Sequence, residues 1–186
     1  MAEEEQDALR ERLESWIGRS LSAGGPAIAP DPVNIPMIRH WVDALDDHNP
    51  AYLDEAGTSS RFGGVVAPPA MLQTWTMPRP KLEGIAERGG APGEIDPENP
   101  VRILDDAGYP GTLATNSELE FERYLRPGDL VQSDTVLESI SPRKQTAIGL
   151  GYFVTWVTTY TDQNGEVVGR QRFRILKFQI PGFGEN

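Results

Sequence analysis

The groups of this chain that could move protons are concentrated in one short stretch, Asp46-Asp47-His48-Asn49-Pro50-Ala51-Tyr52. A carboxylate and an imidazole this close can divide proton transfer between them, one accepting while the other donates. The sequence contains two histidines, His40 and His48, and both fall in or beside this stretch. Asp47 is the acid–base candidate and His48 a candidate substrate contact. Each also has a plainer reading. A loop aspartate caps the amides that follow it, and a histidine on the polar face of a helix is simply solvated, which is the reading for His40. Tyr52 is placed as a pocket-lining phenol, because an unperturbed pKa of about 10 makes it a poor base at neutral pH. Phe62, Met71 and Trp75 are the apolar candidates for a substrate wall, with core packing as the alternative for Met71 and Trp75.

The elements around these residues read clearly. Asn34 is a good helix cap and Pro36 sits where a first-turn proline is tolerated. Met37, Ile38, Trp41, Val42, Ala44 and Leu45 then form one apolar face. Pro50 biases Asn49 away from helical geometry, so the helix must end in the Asp/Asn loop. Phe62-Gly-Gly64 makes a tight turn. Ala67 to Met77 is apolar on almost every side and is expected to be a buried helix, entered through Pro68 and Pro69 and stopped by Pro78 and Pro80.

Upstream, residues 3–17 place Leu9, Leu13, Trp16 and Ile17 at helical spacing, and a short extended piece is expected at Ala27–Ala29. From Arg79 to Gly111 no period is sustained; such a loop serves as a lid, an insert or a partner-binding segment. Strands follow. Leu119 and Phe121 alternate with Glu118, Glu120 and Glu122, and Arg126-Pro-Gly-Asp129 makes a turn before a second strand, Leu130–Ile140. Ile148–Tyr160 is apolar on both faces and so central. Asn164-Gly165 signals a hairpin into a last strand, Val167–Ile180. Arg170, Arg172 and Arg174 alternate along that strand. They form either a phosphate-binding stripe or, as favoured here, a charge ladder against the glutamates. The expectation is an α+β domain over residues 21–180: an antiparallel four-strand meander wrapped around a buried central helix. A helix in residues 1–20 precedes it, and residues 181–186 form a tail or the start of a linker.

Composition excludes several classes of function. A net charge of −11 argues against nucleic acid and anionic membranes as partners. With no cysteine there is no disulfide or thiolate metal site, and two histidines leave little for an imidazole cluster. No apolar run approaches the ~20 residues of a membrane span, and the acidic start Met-Ala-Glu-Glu-Glu is unlike a signal peptide. A cytoplasmic protein is expected.

With Asp47, Asn49 and Pro50 in place, then Phe62-Gly63, Ala67 and the Arg-Pro-Gly-Asp turn at 126–129, the chain resembles the MaoC-like, or hydratase-2, family of hot-dog proteins. The family pattern is Gly-Asp-x-Asn-Pro-x-His, followed by Phe-Gly and Ala-His-Gly-Met. Met37-Ile-Arg-His-Trp41 with Ala67-Pro-Pro-Ala-Met-Leu72 is similar, more narrowly, to the MaoC-like half of the larger subunits of actinobacterial steroid side-chain enoyl-CoA hydratases. Those subunits pair with a smaller hot-dog subunit and carry a further C-terminal domain of the DUF35 type. The resemblance implies a hot-dog fold and hydration of a 2-enoyl-CoA. In that chemistry an Asp and a His activate water, and amides at the start of the buried helix polarise the thioester oxygen. Coenzyme A enters as part of the substrate, with no separate cofactor and no metal.

The departures direct the functional expectation. The family histidine falls on Tyr52, His48 takes the variable position, and Pro68-Pro69 replaces the His-Gly entrance, where proline has no N–H to offer. The chain is therefore expected to be the non-catalytic, pocket-forming half of a heteromeric hydratase for a bulky, steroid side-chain 2-enoyl-CoA. The expected partner is a smaller MaoC-like subunit with an intact Asp/His pair. The alternatives are a hot-dog scaffold that docks a following thiolase-like aldolase, and a self-sufficient hydratase using Asp47 and His48.

Overall fold

The computed structural model describes residues 3–22, 24–54, 61–79, 81–86 and 96–180. In chain order the elements are α1 (Glu3–Glu14), β1 (Ala27–Ile28), α2 (Ile35–Leu45) and α3 (Pro50–Leu53). A 3₁₀ turn (Pro69–Met71) then runs into α4 (Leu72–Trp75), followed by α5 (Pro100–Asp106). The strands β2 (Gly111–Phe121), β3 (Gln132–Ile140), β4 (Lys144–Thr146), β5 (Gly149–Thr161) and β6 (Val167–Phe178) complete the chain. The tail at 181–186 and the polar segment at 55–60 lie outside the described residues.

One antiparallel sheet holds all six strands, ordered β1-β3-β5-β6-β2, with β4 beside β5. The four long strands fall where the alternation places them, and the central position of β5 follows from apolar residues on both of its faces. The meander order does not hold. β2 pairs with β6 rather than with β3, which puts Glu120 opposite Arg170 and Glu118 opposite Arg172. The physical reason lies in residues 122–131. They are too many for a tight hairpin and are anchored by buried Leu125 and Val131, so they carry the chain across the end of the sheet.

Two clusters pack on the sheet. The first joins α2 (Ile38, Val42), the central helix (Met71, Leu72, Trp75), and Val65, Leu125 and Val131. The second joins Leu13 and Trp16 of the N-terminal segment, Ile103 and Leu104 of α5, and the strand residues Leu137, Tyr152, Val154 and Ile175. Burial of each such aliphatic side chain is worth roughly 1.5–3 kcal/mol against exposure.

Two expectations need correction. The loop at 79–111 contains α5, capped by Asn99, whose side chain accepts from Val101 N at 2.9 Å. At seven residues the helix is too short for its period to stand out of the surrounding Pro and Gly. It is held by buried Lys177, whose Nζ reaches Asp105, Thr112 Oγ1 (2.7 Å) and the Pro110 carbonyl (3.3 Å). The central helix is also shorter than Ala67–Met77. It turns Gln73 outward and ends at Trp75, leaving Met77 59% exposed.

Candidate active site

The Asp-x-Asn-Pro stretch folds as two successive side-chain caps. Asp46 closes α2 in the left-handed region (φ 53°), which a short polar residue tolerates. Asp47 Oδ1 then accepts from Asn49 N at 3.0 Å, and Asn49 Oδ1 accepts from Ala51 N at 3.0 Å. Each side chain replaces the partner that its neighbour's amide loses as the chain leaves one helix and enters the next. His48 points away from this turn. Its Nε2 lies 3.1 Å from Asp46 Oδ1 and the ring is 81% exposed.

Behind the loop an open pocket of about 240 Å³ is lined by Asn49, Pro50, Tyr52, Arg61, Phe62 and Tyr124. The Tyr52 phenol is held above its ordinary pKa, first by burial and then by the neighbouring Tyr124 and the Asp47 carboxylate; hydrogen bonding with Asn49 opposes them. At neutral pH it is a protonated donor rather than a base. Phe62 and Tyr124 meet with ring centroids 4.5 Å apart, and the Arg61 guanidinium lies 4.8 Å over Phe62. The far wall is fastened by Arg123, which donates to Tyr124 O (3.1 Å), Asp129 Oδ2 (2.7 Å) and Asp162 Oδ2 (2.8 Å). Arg126 ties the other side, donating to Phe62 O at 2.9 Å.

At the entrance to the central helix, the Ala67 amide donates to Leu125 O (2.8 Å) and the Met71 amide to Pro68 O (2.9 Å). Pro68 and Pro69 have no amide hydrogen. An oxyanion needs converging free donors; with the prolines lacking N–H and the Ala67 and Met71 amides already paired, only the single Ala70 amide is left at this entrance.

Beyond α4 the sheet floor is open. A cleft of about 260 Å³ lies between the end of this helix and the strands, with Gln73, Met77, Thr135, Trp156, Thr158 and Phe173 among its walls. Trp156 and Phe173 are opposite one another in register, with ring centroids 5.4 Å apart.

The structure brings Tyr52 and Phe62 together in one pocket, and Asp47 is not among its walls but lies near enough for its charge to act on the Tyr52 phenol. It does not bring His48 there, and it places Met71 and Trp75 in the first core cluster, fully or almost fully buried. Sequence reasoning missed Tyr124, Arg61, Gln73, Trp156 and Phe173. The alternation of β5 and β6 held a signal for the last two, because residues paired in register share a face. The arginine stripe is a ladder: Arg170 reaches Glu122 (2.9 Å), Arg172 reaches Glu138 (2.7 Å), and Arg174 reaches Asn116. Among the described residues no cluster of His, Asp and Glu could hold a metal ion, and no helix is long and apolar enough to cross a membrane.

Residues 15–171 match the family described as FAS1-like, dehydratase domain region. A probable enoyl-CoA hydratase alpha subunit of Thermomonospora curvata is 45% identical over 177 residues, covering 90% of this chain and 51% of that protein. The 3-oxo-4,17-pregnadiene-20-carboxyl-CoA hydratase alpha subunit of Mycobacterium tuberculosis is 41% identical over 167 residues, covering 87% of this chain and 51% of that protein. The chain thus spans about half the length of the curated relatives it matches. Among solved structures, a chain of the ChsH1–ChsH2 complex from Mycobacterium tuberculosis superposes with a TM-score of 0.77 at 39% identity. That match covers 95% of this chain and 99% of the other.

Proposed function

The chain belongs to the FAS1-like dehydratase family of MaoC-like hot-dog proteins, and from that premise we propose that it is the non-catalytic, pocket-forming half of a heteromeric enoyl-CoA hydratase. Its substrate is a bulky 2-enoyl-CoA of the steroid side-chain class, and coenzyme A enters only as the thioester. The observation that carries this reading is the central helix. Its entrance, with Pro68 and Pro69, lacks the converging amides of an oxyanion hole, keeping only that of Ala70, and its early end at Trp75 uncovers the cleft over Trp156 and Phe173.

Tyr52 supports the same reading, since a phenol held in its protonated form cannot activate water. The partner is a smaller MaoC-like subunit that supplies the Asp/His pair. In the assembled pair water adds across the double bond, its oxygen to the β carbon and a proton to the α carbon. This chain contributes volume for the acyl group. At about 260 Å³ the cleft alone is smaller than the usual ligand site of ~300–1,000 Å³, so a large acyl group would extend against the partner. The names of the relatives, both alpha subunits, and the two-component complex of the solved neighbour support a heteromeric assembly.

The test compares this chain alone, a smaller MaoC-like protein encoded beside it alone, and the two together. Loss of enoyl-thioester absorbance is followed with a steroid side-chain enoyl-CoA and with a short-chain enoyl-CoA. Turnover of the steroid thioester only by the mixture is expected. Turnover by this chain alone, or a partner whose substrate range does not change when this chain is added, overturns the reading.

A further inference from the structure

We propose that the pocket behind the Asp/Asn loop is a binding site for a small organic carboxylate, separate from the acyl cleft. The two cavities share no wall residue, and the site is independent of the pocket-forming role above. Its walls combine hydrogen-bond donors with aromatic rings and hold no acidic residue. In a chain of net charge −11, an acid-free hollow with a cation in its wall departs from the rest of the surface. At about 240 Å³ it falls below the ~300–1,000 Å³ of drug-sized ligands and suits a short acid.

Arg61 is the one cation in these walls. It lies 4.8 Å over the Phe62 ring and makes no ion pair with a described residue, unlike Arg123, whose guanidinium is taken by Asp129 and Asp162. A guanidinium edge left open can give a carboxylate two parallel N–H bonds. Two phenols stand beside it. The Tyr52 hydroxyl is kept protonated, chiefly by burial. Asn49 spends its Oδ1 on the Ala51 amide, so its NH₂ group is what it offers the Tyr52 oxygen, and the Tyr52 O–H stays free to donate. The Tyr124 hydroxyl has no hydrogen-bond partner among the described residues. The rings of Phe62 and Tyr124, 4.5 Å apart, supply an apolar wall for the organic part. One open cation balances one negative charge, and the Asp47 carboxylate near Tyr52 repels a dianion such as phosphate more than a monoanion. A neutral ligand would cover the guanidinium without pairing it, which costs more than leaving it in water.

The experiment titrates this chain, in whatever assembly it purifies, against four probes by ligand-observed NMR: benzoate, its neutral amide benzamide, inorganic phosphate and coenzyme A. Benzoate is expected to bind at least about tenfold tighter than benzamide, the size of a charge-assisted hydrogen bond, and tighter than phosphate. Arg61→Gln, on an exposed side chain, should bring benzoate down to the level of benzamide. Tyr124→Phe keeps the ring, removes the free hydroxyl and should weaken benzoate by a smaller factor. No benzoate binding, equal affinity for benzoate and benzamide, a preference for phosphate, or an Arg61→Gln variant that binds benzoate like wild type overturns the inference. Displacement of benzoate by coenzyme A also overturns it, because the pocket would then belong to the cradle of the thioester. None of these outcomes bears on the acyl cleft, which the two-component assay above tests.

Discussion

Leu72 of the central helix rests directly on the backbone of Gly169 in β6. A β-carbon at Gly169 would stand 2.7 Å from Leu72 Cδ2 and 2.6 Å from Glu120 O. The helix can lie this low only because one strand position lacks a side chain, and that seating sets the height of the cleft beyond Trp75. Gly169→Ala must therefore lift the helix or push β2 aside. It should cost roughly 1–3 kcal/mol, as overpacking does, and lower the melting temperature by about 2–4 °C per kcal/mol at this chain length. Thermal unfolding followed by circular dichroism measures it; an unchanged melting temperature would mean that the contact is slack.

The loop separates structure from chemistry through two neighbouring caps. Asn49→Ala removes the acceptor for the Ala51 amide, and a lost cap of this type costs about 1 kcal/mol. Asp47→Asn keeps an acceptor for the Asn49 amide and removes only the charge. In the assembled hydratase its turnover should stay within about twofold of wild type. A loss of a hundredfold or more, about 2.7 kcal/mol of barrier, would show that Asp47 takes part in the reaction and would revive the alternative in which this chain works alone.

Asp162 gives the fold a pH dependence whose sign can be worked out. Burial alone would raise its pKa, but hydrogen bonds from Arg123 and from the Asn164 and Glu166 amides more than offset it, so the carboxyl is held below its ordinary value. A folded pKa below the unfolded value of about 3.9 means stability that is complete above that pH. It is lost as pH falls from there through the folded pKa. Other carboxylates add to the acid slope, so the readout is a difference: urea midpoints of wild type and Asp162→Asn should be furthest apart near neutral pH and converge toward pH 3. Parallel curves across that range would refute the assignment.

Much of this was readable in the residues because local rules acted alone. Asn34 caps α2 by accepting from Met37 N at 3.0 Å, Asn164-Gly165 makes the β5–β6 turn with Gly165 at φ 81°, and Ala27–Ile28 is extended. Where tertiary contacts decide, the residues said less. The alternating glutamates and arginines pointed to the β2–β6 pairing, but the meander reading overlooked the long crossing segment that makes it. The α5 position depends on Lys177, which a sequence reads as another exposed strand lysine and the fold buries to 1% exposure against Asp105. For the candidate site, the Asp/Asn loop, Tyr52 and the prolines were legible as chemistry present or absent. The cleft was not, since it exists only where one helix stops short and two strands pair beneath it.

The open edge of the sheet yields the last prediction. β1 closes one side with two residues between prolines 26 and 30, a short, blunted edge. β2 is eleven residues long and, among the described residues, has a strand partner on one side only. Leu119 and Phe121, in register with Gln171 and Gly169, are 39% and 44% exposed, because the helical layer stops before reaching them. A long strand with unpaired amides and uncovered apolar side chains is a template for another chain, and a hot-dog partner extending the sheet would cover both. Phe121→Lys should therefore abolish co-elution with the smaller subunit. The isolated chain should unfold within about 0.5 kcal/mol of wild type, as surface substitutions do. Sedimentation of the mixture and denaturant unfolding of the single chain measure the two effects separately. If the variant still assembles fully, pairing runs through another surface; if the single chain itself collapses, Phe121 belongs to the core of this fold.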